Sequence, residues 1–128
     1  MTTLATLAPA ISAVAMLNDQ ARLGTLENAR FVFTKTCLDP FVPEVATPLE
    51  RTIARALLQR ELVAAIAHAE FNPDNDPHGE HDFGAFEFRS VRLFWKIDVY
   101  ANDGTSSWGA AEPANPATSY RLVTIMLA

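Results

Sequence analysis

The sequence has one cysteine, few basic residues and no long uncharged apolar run. A single cysteine, Cys37, among 128 residues excludes an internal disulfide and a zinc site built from several thiolates. Ten basic residues against fifteen acidic ones give a net charge of -5, whereas nucleic-acid binding needs a basic surface. A membrane span needs roughly 18 consecutive apolar residues, and no stretch reaches that length. We therefore expect no membrane insertion and no direct binding to nucleic acid.

Two further features indicate the cellular setting. Cys37 lies in the apolar stretch FVFTKTCL, so we expect a buried core thiol rather than a nucleophile. The N-terminal MTTLATLAPAISAVAML is apolar and rich in small residues, as signal sequences are, but it lacks a basic beginning and Pro9 interrupts it. We expect an amphipathic N-terminal helix in a cytoplasmic protein.

The chain is long enough for one domain, residues 1–128, that buries its own core. Two helices are predicted. The first, over 10–23, ends before Gly24. Asn18, Asp19 and Arg22 are expected to point away from its apolar stripe. That stripe consists of Ile11, Val14, Ala15, Leu17 and Ala21.

The second helix is predicted over 48–70 from a strong start signal. Thr47 can cap it, Pro48 suits its first position and Glu50 completes a capping box. Its apolar arc is too wide for one contact, which predicts packing on a sheet and on a second surface. That second surface is either the first helix or another copy of the chain, so a homodimer is one of two arrangements left open.

Strand patterns occur before and after the second helix. Residues 31–38 are rich in β-branched and aromatic side chains, and Pro40 and Pro43 follow them. Residues 85–88 and 91–100 alternate with period two and meet around Arg89-Ser90, which predicts a hairpin.

The last strand is RLVTIMLA, residues 121–128, whose nearly uninterrupted apolar run predicts a central position in the sheet. In the strand over 91–100 one face is predicted to hold Val91, Leu93, Trp95, Ile97 and Val99. The other face is predicted to hold Arg92, Phe94, Lys96, Asp98 and Tyr100. The predicted fold class is α+β: a single domain with an antiparallel sheet of about four strands and two helices packed on one face, in the order α-β-α-β-β-β.

The loop over 102–118 is long for a compact domain, and loops of this length are usually functional or mobile. Trp108 lies in it among small and polar residues. An exposed tryptophan there would suit an interface, and folding back as a lid on the sheet is an equally good expectation.

The stretch NDPHGEHDFG, residues 75–84, concentrates ionisable side chains, and three interpretations stay open. A metal site would use His78, His81, Asp76 and Asp82, a donor set that suits Zn or Mn. The histidines lie three apart on a loop broken by Gly79, so they do not match the zincin pattern.

A calcium loop is excluded by its last ligand position. If residues 74, 76 and 78 took the first three ligand positions of an EF-hand, the twelfth would be Ala85, where a bidentate acid is required.

Acid–base or hydrolytic chemistry is the second interpretation, with His78 or His81 acting beside Asp98, Lys96 or Tyr100. No nucleophile elbow, phosphate-binding loop or dinucleotide fingerprint supports it. The third interpretation is structural: the acids bind backbone N–H groups in turns and lock the loop to the sheet.

Several long motifs carry a family resemblance. NDPHGEHDFGAFEF, LFWKIDVY and EPANPATSYRLVTIMLA resemble the DUF3768 family of small bacterial proteins, and the upstream LNDQAR and FVFTK also fit its pattern. Residues 39–60 do not match what the family leads us to expect. The resemblance implies no reaction. It implies carriage on plasmids and other mobile elements, and therefore roles in conjugation, plasmid maintenance or counter-defence against restriction or CRISPR systems.

From these observations we expect a non-catalytic accessory protein of mobile genetic elements that binds a protein partner without a cofactor, with a counter-defence inhibitor as one form of that role. The alternative is a small metal-dependent enzyme of hydrolase type that uses His78, His81 and the nearby acids with Zn or Mn. The predicted binding surface consists of Asp76, His78, Glu80, His81, Asp82, Lys96, Asp98, Tyr100 and Trp108.

Overall fold

A four-stranded sheet with two helices forms the domain in the computed structural model, which describes residues 11–44 and 46–128. The predicted order of helices and strands is confirmed, with one short 3₁₀ turn (Asp39–Phe41) added after the first strand. The elements are α1 (Ala13–Arg22), β1 (Ala29–Phe33), α2 (Pro48–Ile66), β2 (Phe83–Phe88), β3 (Val91–Ala101) and β4 (Ser119–Leu127). None of the described helices is long and apolar enough to cross a membrane.

Helix α1 lies within the predicted range of 10–23, of which residue 10 is outside the described residues. Ser12 caps it by accepting a hydrogen bond from the N–H of Ala15 at 3.1 Å. The chain leaves the helix through Gly24, whose φ of +79° is a conformation that glycine adopts without strain. The predicted helix is confirmed, and Ala15, Leu17 and Ala21 of its expected stripe are buried, whereas Ile11 lies before the helix and is 56% exposed.

Helix α2 begins as predicted, because the Thr47 side chain accepts from the N–H of Glu50 and Pro48 takes the first position. It ends at Ile66, four residues before the predicted end. The Ile66 carbonyl accepts from the side chain of Arg22 and from the N–H of Ala69, so a tighter turn replaces the continuing helix.

The strands pair in the order β1-β4-β3-β2, which confirms the central position of β4. The prediction of a wholly antiparallel sheet is wrong for one pair, since β1 runs parallel to β4. The antiparallel pairs β2–β3 and β3–β4 follow one another along the chain. Strand β1 reaches β4 only through α2 and the hairpin, so no tight turn imposes opposite directions on that pair.

Strand β1 is shorter and earlier than the predicted 31–38. It ends at Phe33, and the following residues turn, with the N–H of Cys37 bonded to the Thr34 carbonyl. The turn carries Cys37 and Leu38 into the core, where they are 0% and 3% exposed. The predicted burial of Cys37 is confirmed, and burial raises the pKa of its thiol by disfavouring the charged form.

The hairpin joins β2 to β3 through Arg89 and Ser90, as predicted. Both residues have positive φ, +48° and +66°, as two-residue hairpin turns of type I′ require. Strand β2 begins at Phe83, two residues before the predicted start.

One face of the sheet carries the core and both helices pack on it, which confirms the predicted layers. The β3 residues of this face, Leu93, Trp95 and Ile97, are at most 5% exposed, so the predicted two faces of β3 are confirmed. The rest of the buried cluster is Ala21, Cys37, Leu38, Leu58, Leu62, Ile66, Val123 and Ile125.

The opposite face of the sheet, called the open face below, has no helix on it in the described part of the chain. Strand pairing and alternation place on it Arg30, Val32, Phe83, Ala85, Glu87, Arg92, Phe94, Lys96, Asp98, Tyr100, Tyr120, Leu122, Thr124 and Met126.

Gly84 provides a sharp test of the packing of β2 on the core face. A Cβ added there would lie 2.6 Å from Cε2 and 2.8 Å from Cζ2 of the buried Trp95. We expect Gly84→Ala to destabilise the fold by about 1–3 kcal/mol, because a buried indole cannot move without cost. Gly109→Ala is the matched control, since nothing lies within 4 Å of its Cβ position. Urea unfolding measures both, and equal stability of the two variants would contradict this packing.

Candidate functional site

The loop before β2 is held together by its own acidic and amide side chains. The Asn72 side chain accepts from the N–H groups of Asp74 and Asn75, and the Asn75 side chain accepts from that of Asn72. The Asp76 carboxylate accepts from the N–H groups of Glu80 and His81 at 3.2–3.3 Å. Asx turns of this kind agree with the structural interpretation of the motif.

His81 joins this loop to α1. Its Nδ1 lies 2.9 Å from Oδ1 of Asp19, and its Nε2 lies 3.5 Å from Oδ2 of Asp76. The ring stacks on Phe71 with centroids 3.9 Å apart and planes 3° from parallel. His81 therefore contacts Asp19 on helix α1 and Asp76 within the loop, not Lys96 or Tyr100 on the sheet. The loop meets the sheet through the N–H of Ile97, which donates to the Asp82 carbonyl.

Arg22 extends the cluster toward α2. Its guanidinium donates to Oδ1 of Asp19 at 2.8 Å and, through Nε, to the Ile66 carbonyl at 3.1 Å. The same group lies 5.1 Å from the ring centroid of Phe71 and 5.6 Å from that of Trp95. Arg22 thus ties α1, the end of α2 and the aromatic core together through hydrogen bonds and cation–π contacts.

Asn18 connects the loop to the central strand. Its Nδ2 donates to the Glu80 carbonyl at 2.8 Å, and its Oδ1 accepts from Nε of Arg121 at 2.6 Å. Arg121 also donates to Oγ of Ser119 at 2.9 Å and to the Pro113 carbonyl at 2.6 Å. Asn18 is 1% exposed and Arg121 and Ser119 are fully buried, so this is an interior network.

No ion pair to Arg121 occurs within the described ranges. Burial lowers the pKa of its guanidinium, because desolvation penalises the charged form. An arginine stays charged at neutral pH all the same, so neutral acceptors alone hold this charge in the interior.

Sequence reasoning missed the residues of this network. Asn18 and Arg22 were expected off the apolar stripe of α1, but they are 1% and 5% exposed. Asn18 lies four residues after Val14 and three before Ala21, so helical spacing could have assigned it to the core face. A lone arginine in the otherwise apolar RLVTIMLA was the signal for Arg121.

The other predicted site residues are divided between the open face and the loops. Lys96, Asp98 and Tyr100 occupy the open face, where Lys96 Nζ pairs with Asp98 Oδ2 at 3.0 Å. His78 and Glu80 are exposed at the loop surface. The structure therefore brings Asp76 and His81 together with Asp19, and it keeps them apart from the β3 side chains.

The long loop over 102–118 folds back along β3. The N–H of Ala101 donates to the Trp108 carbonyl at 2.8 Å, and the N–H of Ala110 donates to the Val99 carbonyl at 3.3 Å. Gly109 forms an isolated bridge with Tyr100. The loop thus pairs with the end of β3 that β2 does not reach.

Trp108 itself is 72% exposed. Of the two alternatives for this side chain, exposure is therefore observed and folding back as a lid on the sheet is not. Its loop is ordered by local hydrogen bonds, including those from the N–H and hydroxyl of Thr105 to Asp103. These two bonds stabilise the carboxylate and lower the pKa of Asp103.

The described residues contain no group of three or more His, Cys, Asp or Glu side chains that could hold a metal ion. A groove of about 480 Å³ runs beside His78, His81 and Asp76. Each ring nitrogen of His81 already faces a carboxylate, so neither is directed at a substrate in this groove. The geometry therefore suits a structural role in which Asp76 and His81 brace the loop against helix α1.

Asp76 and Asp74 form a matched pair for testing that brace. Asp76→Ala leaves two loop N–H groups without their acceptor, so we expect a loss of about 1–3 kcal/mol in the free energy of unfolding. Asp74→Ala removes an exposed carboxylate and should stay within about 0.5 kcal/mol. Amide hydrogen exchange at Glu80 and His81 should quicken only in the first variant, and similar behaviour of both would contradict the role of Asp76.

Comparison with known proteins gives one match. The family described as protein of unknown function (DUF3768) matches residues 46–128. Helix α2 lies within this match, so the expectation that residues 39–60 depart from the family is wrong from residue 46 onward, while LNDQAR and FVFTK lie before it. No match was found among curated proteins or solved structures. Because the match spans more than half of the chain, the protein belongs to the DUF3768 family.

Proposed function

We propose that the protein is a non-catalytic binding protein whose open face and Trp108 loop contact a protein partner. The observation that carries the proposal is a sheet face without a covering helix in the described part of the chain, together with a tryptophan on the loop next to β3 that is 72% exposed. Exposed tryptophan and tyrosine side chains are the residues most enriched among those that dominate binding energy.

The open face has the mixed character of a protein interface. Phe83 and Phe94 pair there with centroids 5.2 Å apart, and Phe83 is 44% exposed. Lys96 and Asp98 form an exposed ion pair next to Tyr100. An apolar centre with charged and phenolic groups around it offers both contact area and specificity to a partner.

The surface is also rigid, which lowers the entropic cost of binding. Phe94, Lys96 and Tyr100 belong to β3, which pairs with β4 over nine residue pairs and with β2 over six. The bridge between Tyr100 and Gly109 fixes the tryptophan loop to the same strand. Preorganised side chains lose little freedom when a partner binds.

The setting proposed for this binding is an accessory role in bacterial mobile elements, in the cytoplasm, with inhibition of a restriction or CRISPR component as one form. The family resemblance supports the setting by association. The net charge of -5 supports a protein partner rather than nucleic acid.

A metal-dependent hydrolase remains the alternative, and the groove of about 480 Å³ beside His78 and His81 is the observation in its favour. Against it, the His81 nitrogens and the Asp76 carboxylate are engaged in contacts within the protein. The binding proposal is preferred because Phe83 and Trp108, two of the aromatic side chains of its surface, are 44% and 72% exposed.

A binding test should start from capture in the native bacterial host and continue with the purified partner. We expect Trp108→Ala to raise the Kd at least tenfold, or about 1.4 kcal/mol, because an exposed aromatic anchor is lost without a change in the core. Tyr100→Ala should weaken binding in the same direction. Gln20→Ala, on the exposed side of α1, is the control and should leave the Kd unchanged. A purified partner that binds all three variants equally would refute this surface.

Metal analysis distinguishes the hydrolase alternative from the binding proposal. We expect elemental analysis of the purified protein to show no stoichiometric Zn or Mn, and a chelator to leave the Tm unchanged, because the described residues offer no group of three or more metal-binding side chains. Stoichiometric metal that is lost in His78→Ala, a variant of an exposed residue, would favour the hydrolase instead.

A further inference from the structure

Helix α2 has a second apolar side that points away from the core. Leu49, Ile53 and Leu57 follow one another at intervals of four residues and are 70%, 52% and 54% exposed. The core side of the same helix carries Leu58, Leu62 and Ile66. Ile53 and Leu62 are nine residues apart, which at 3.6 residues per turn places them about 180° apart.

This outer stripe continues into a larger apolar area. Ala56 and Ala64 extend it along the helix and also line a groove of about 680 Å³ beside β1, where Phe31 and Phe33 form the apolar wall. Exposed apolar area of this continuity is uncommon on soluble monomers and marks interaction surfaces. No other element of the described chain packs on the outer stripe.

Two charged residues accompany the stripe and have no partner within residues 11–44 and 46–128. Glu50 forms no side-chain ion pair or hydrogen bond there, and neither does Arg60. Their neighbours three and four residues away on the helix are all apolar, so the helix offers no opposite charge. The other arginines of α2 are engaged, since Arg55 pairs with Asp39 and Arg51 donates to the Ala46 carbonyl.

We propose that the outer stripe is the interface of a symmetric homodimer in which α2 packs antiparallel on the α2 of a second copy. A two-fold axis at the level of residue 55 places Glu50 opposite the partner's Arg60, because 50 and 60 are equally far from 55. The same axis places Ile53 opposite the partner's Leu57. One symmetry operation therefore pairs two of the three residues of the outer stripe, Ile53 and Leu57, together with both unpaired charges, as a self-complementary interface requires.

The charge pattern favours a second copy over an unrelated helix. Each monomer supplies one acid and one base about 15 Å apart along the helix axis, at 1.5 Å per residue. Antiparallel pairing converts them into two identical ion pairs that flank the leucine and isoleucine contacts. A parallel pair of the same helices would place like charges opposite each other.

The dimer leaves the open face accessible. The outer stripe lies on the side of α2 away from the sheet, so the two open faces point outward in opposite directions. The dimer proposal is thus independent of the proposed binding function, and either can fail alone.

Mass measurement in solution tests the dimer directly. Sedimentation equilibrium from micromolar to about 1 mM protein should give twice the 14.0 kDa chain mass at high concentration. Ile53→Glu and Leu57→Glu should each give a monomer, because both copies carry the substitution and each one therefore buries two charges in the dimer interface. Met16→Glu is the matched control on α1, where Met16 is 52% exposed, and it should remain dimeric.

Charge reversal tests the predicted register without changing an apolar residue. Arg60→Glu alone should raise the dimer dissociation constant about tenfold, because it places two acids opposite each other at both ends of the contact. Adding Glu50→Arg in the same chain should restore the wild-type constant. Circular dichroism confirms that each variant is folded. A wild-type chain that stays monomeric at about 1 mM, or a dimer indifferent to both the glutamate and the charge-reversal variants, would overturn the proposal.

Discussion

The buried guanidinium of Arg121 is the constraint on which the rest of the structure depends. It binds α1 through Asn18, the long loop through the Pro113 carbonyl and its own strand through Ser119. An interior cation held only by neutral acceptors tolerates no missing partner, because desolvation of the charge would then be uncompensated. All three segments must therefore take their observed positions together. If α1 shifted along the sheet, the Arg121 guanidinium would lose a hydrogen-bond acceptor while remaining buried.

This constraint gives the polar motifs one shared purpose. LNDQAR supplies Asn18, Asp19 and Arg22, the histidine loop reaches Asn18 through the Glu80 carbonyl, and the proline-rich loop reaches Arg121. In the structure these polar residues hold α1 and the loops to the helix side of the sheet. The proposed contacts with other molecules use different surfaces, the open face and the outer side of α2, on which no other helix or strand packs within residues 11–44 and 46–128.

The sequence was sufficient wherever a feature depends on local chemistry. Capping predicted the start of α2, and period-two alternation predicted the two faces of β3. Prediction from the sequence failed where contacts between distant segments determine the structure. The parallel pairing of β1 with β4, the early end of α2 at the side chain of Arg22 and the pairing of Asn18 with Arg121 all depend on contacts across much of the chain. For the same reason the candidate site was recognised by composition, but its division between the two sides of the sheet was not.

The pairing of β1 with β4 has a consequence for biosynthesis. Residues 29–33 pair with residues 121–125, and Asn18 bonds a donor 103 positions later, so the first strand has no strand to pair with until the end of the chain has been made. Contacts of such separation form slowly and leave apolar edges exposed in the meantime. The sheet closes only after β4 has been made, and a chain cut short before that strand lacks the pairing partner of both β1 and β3.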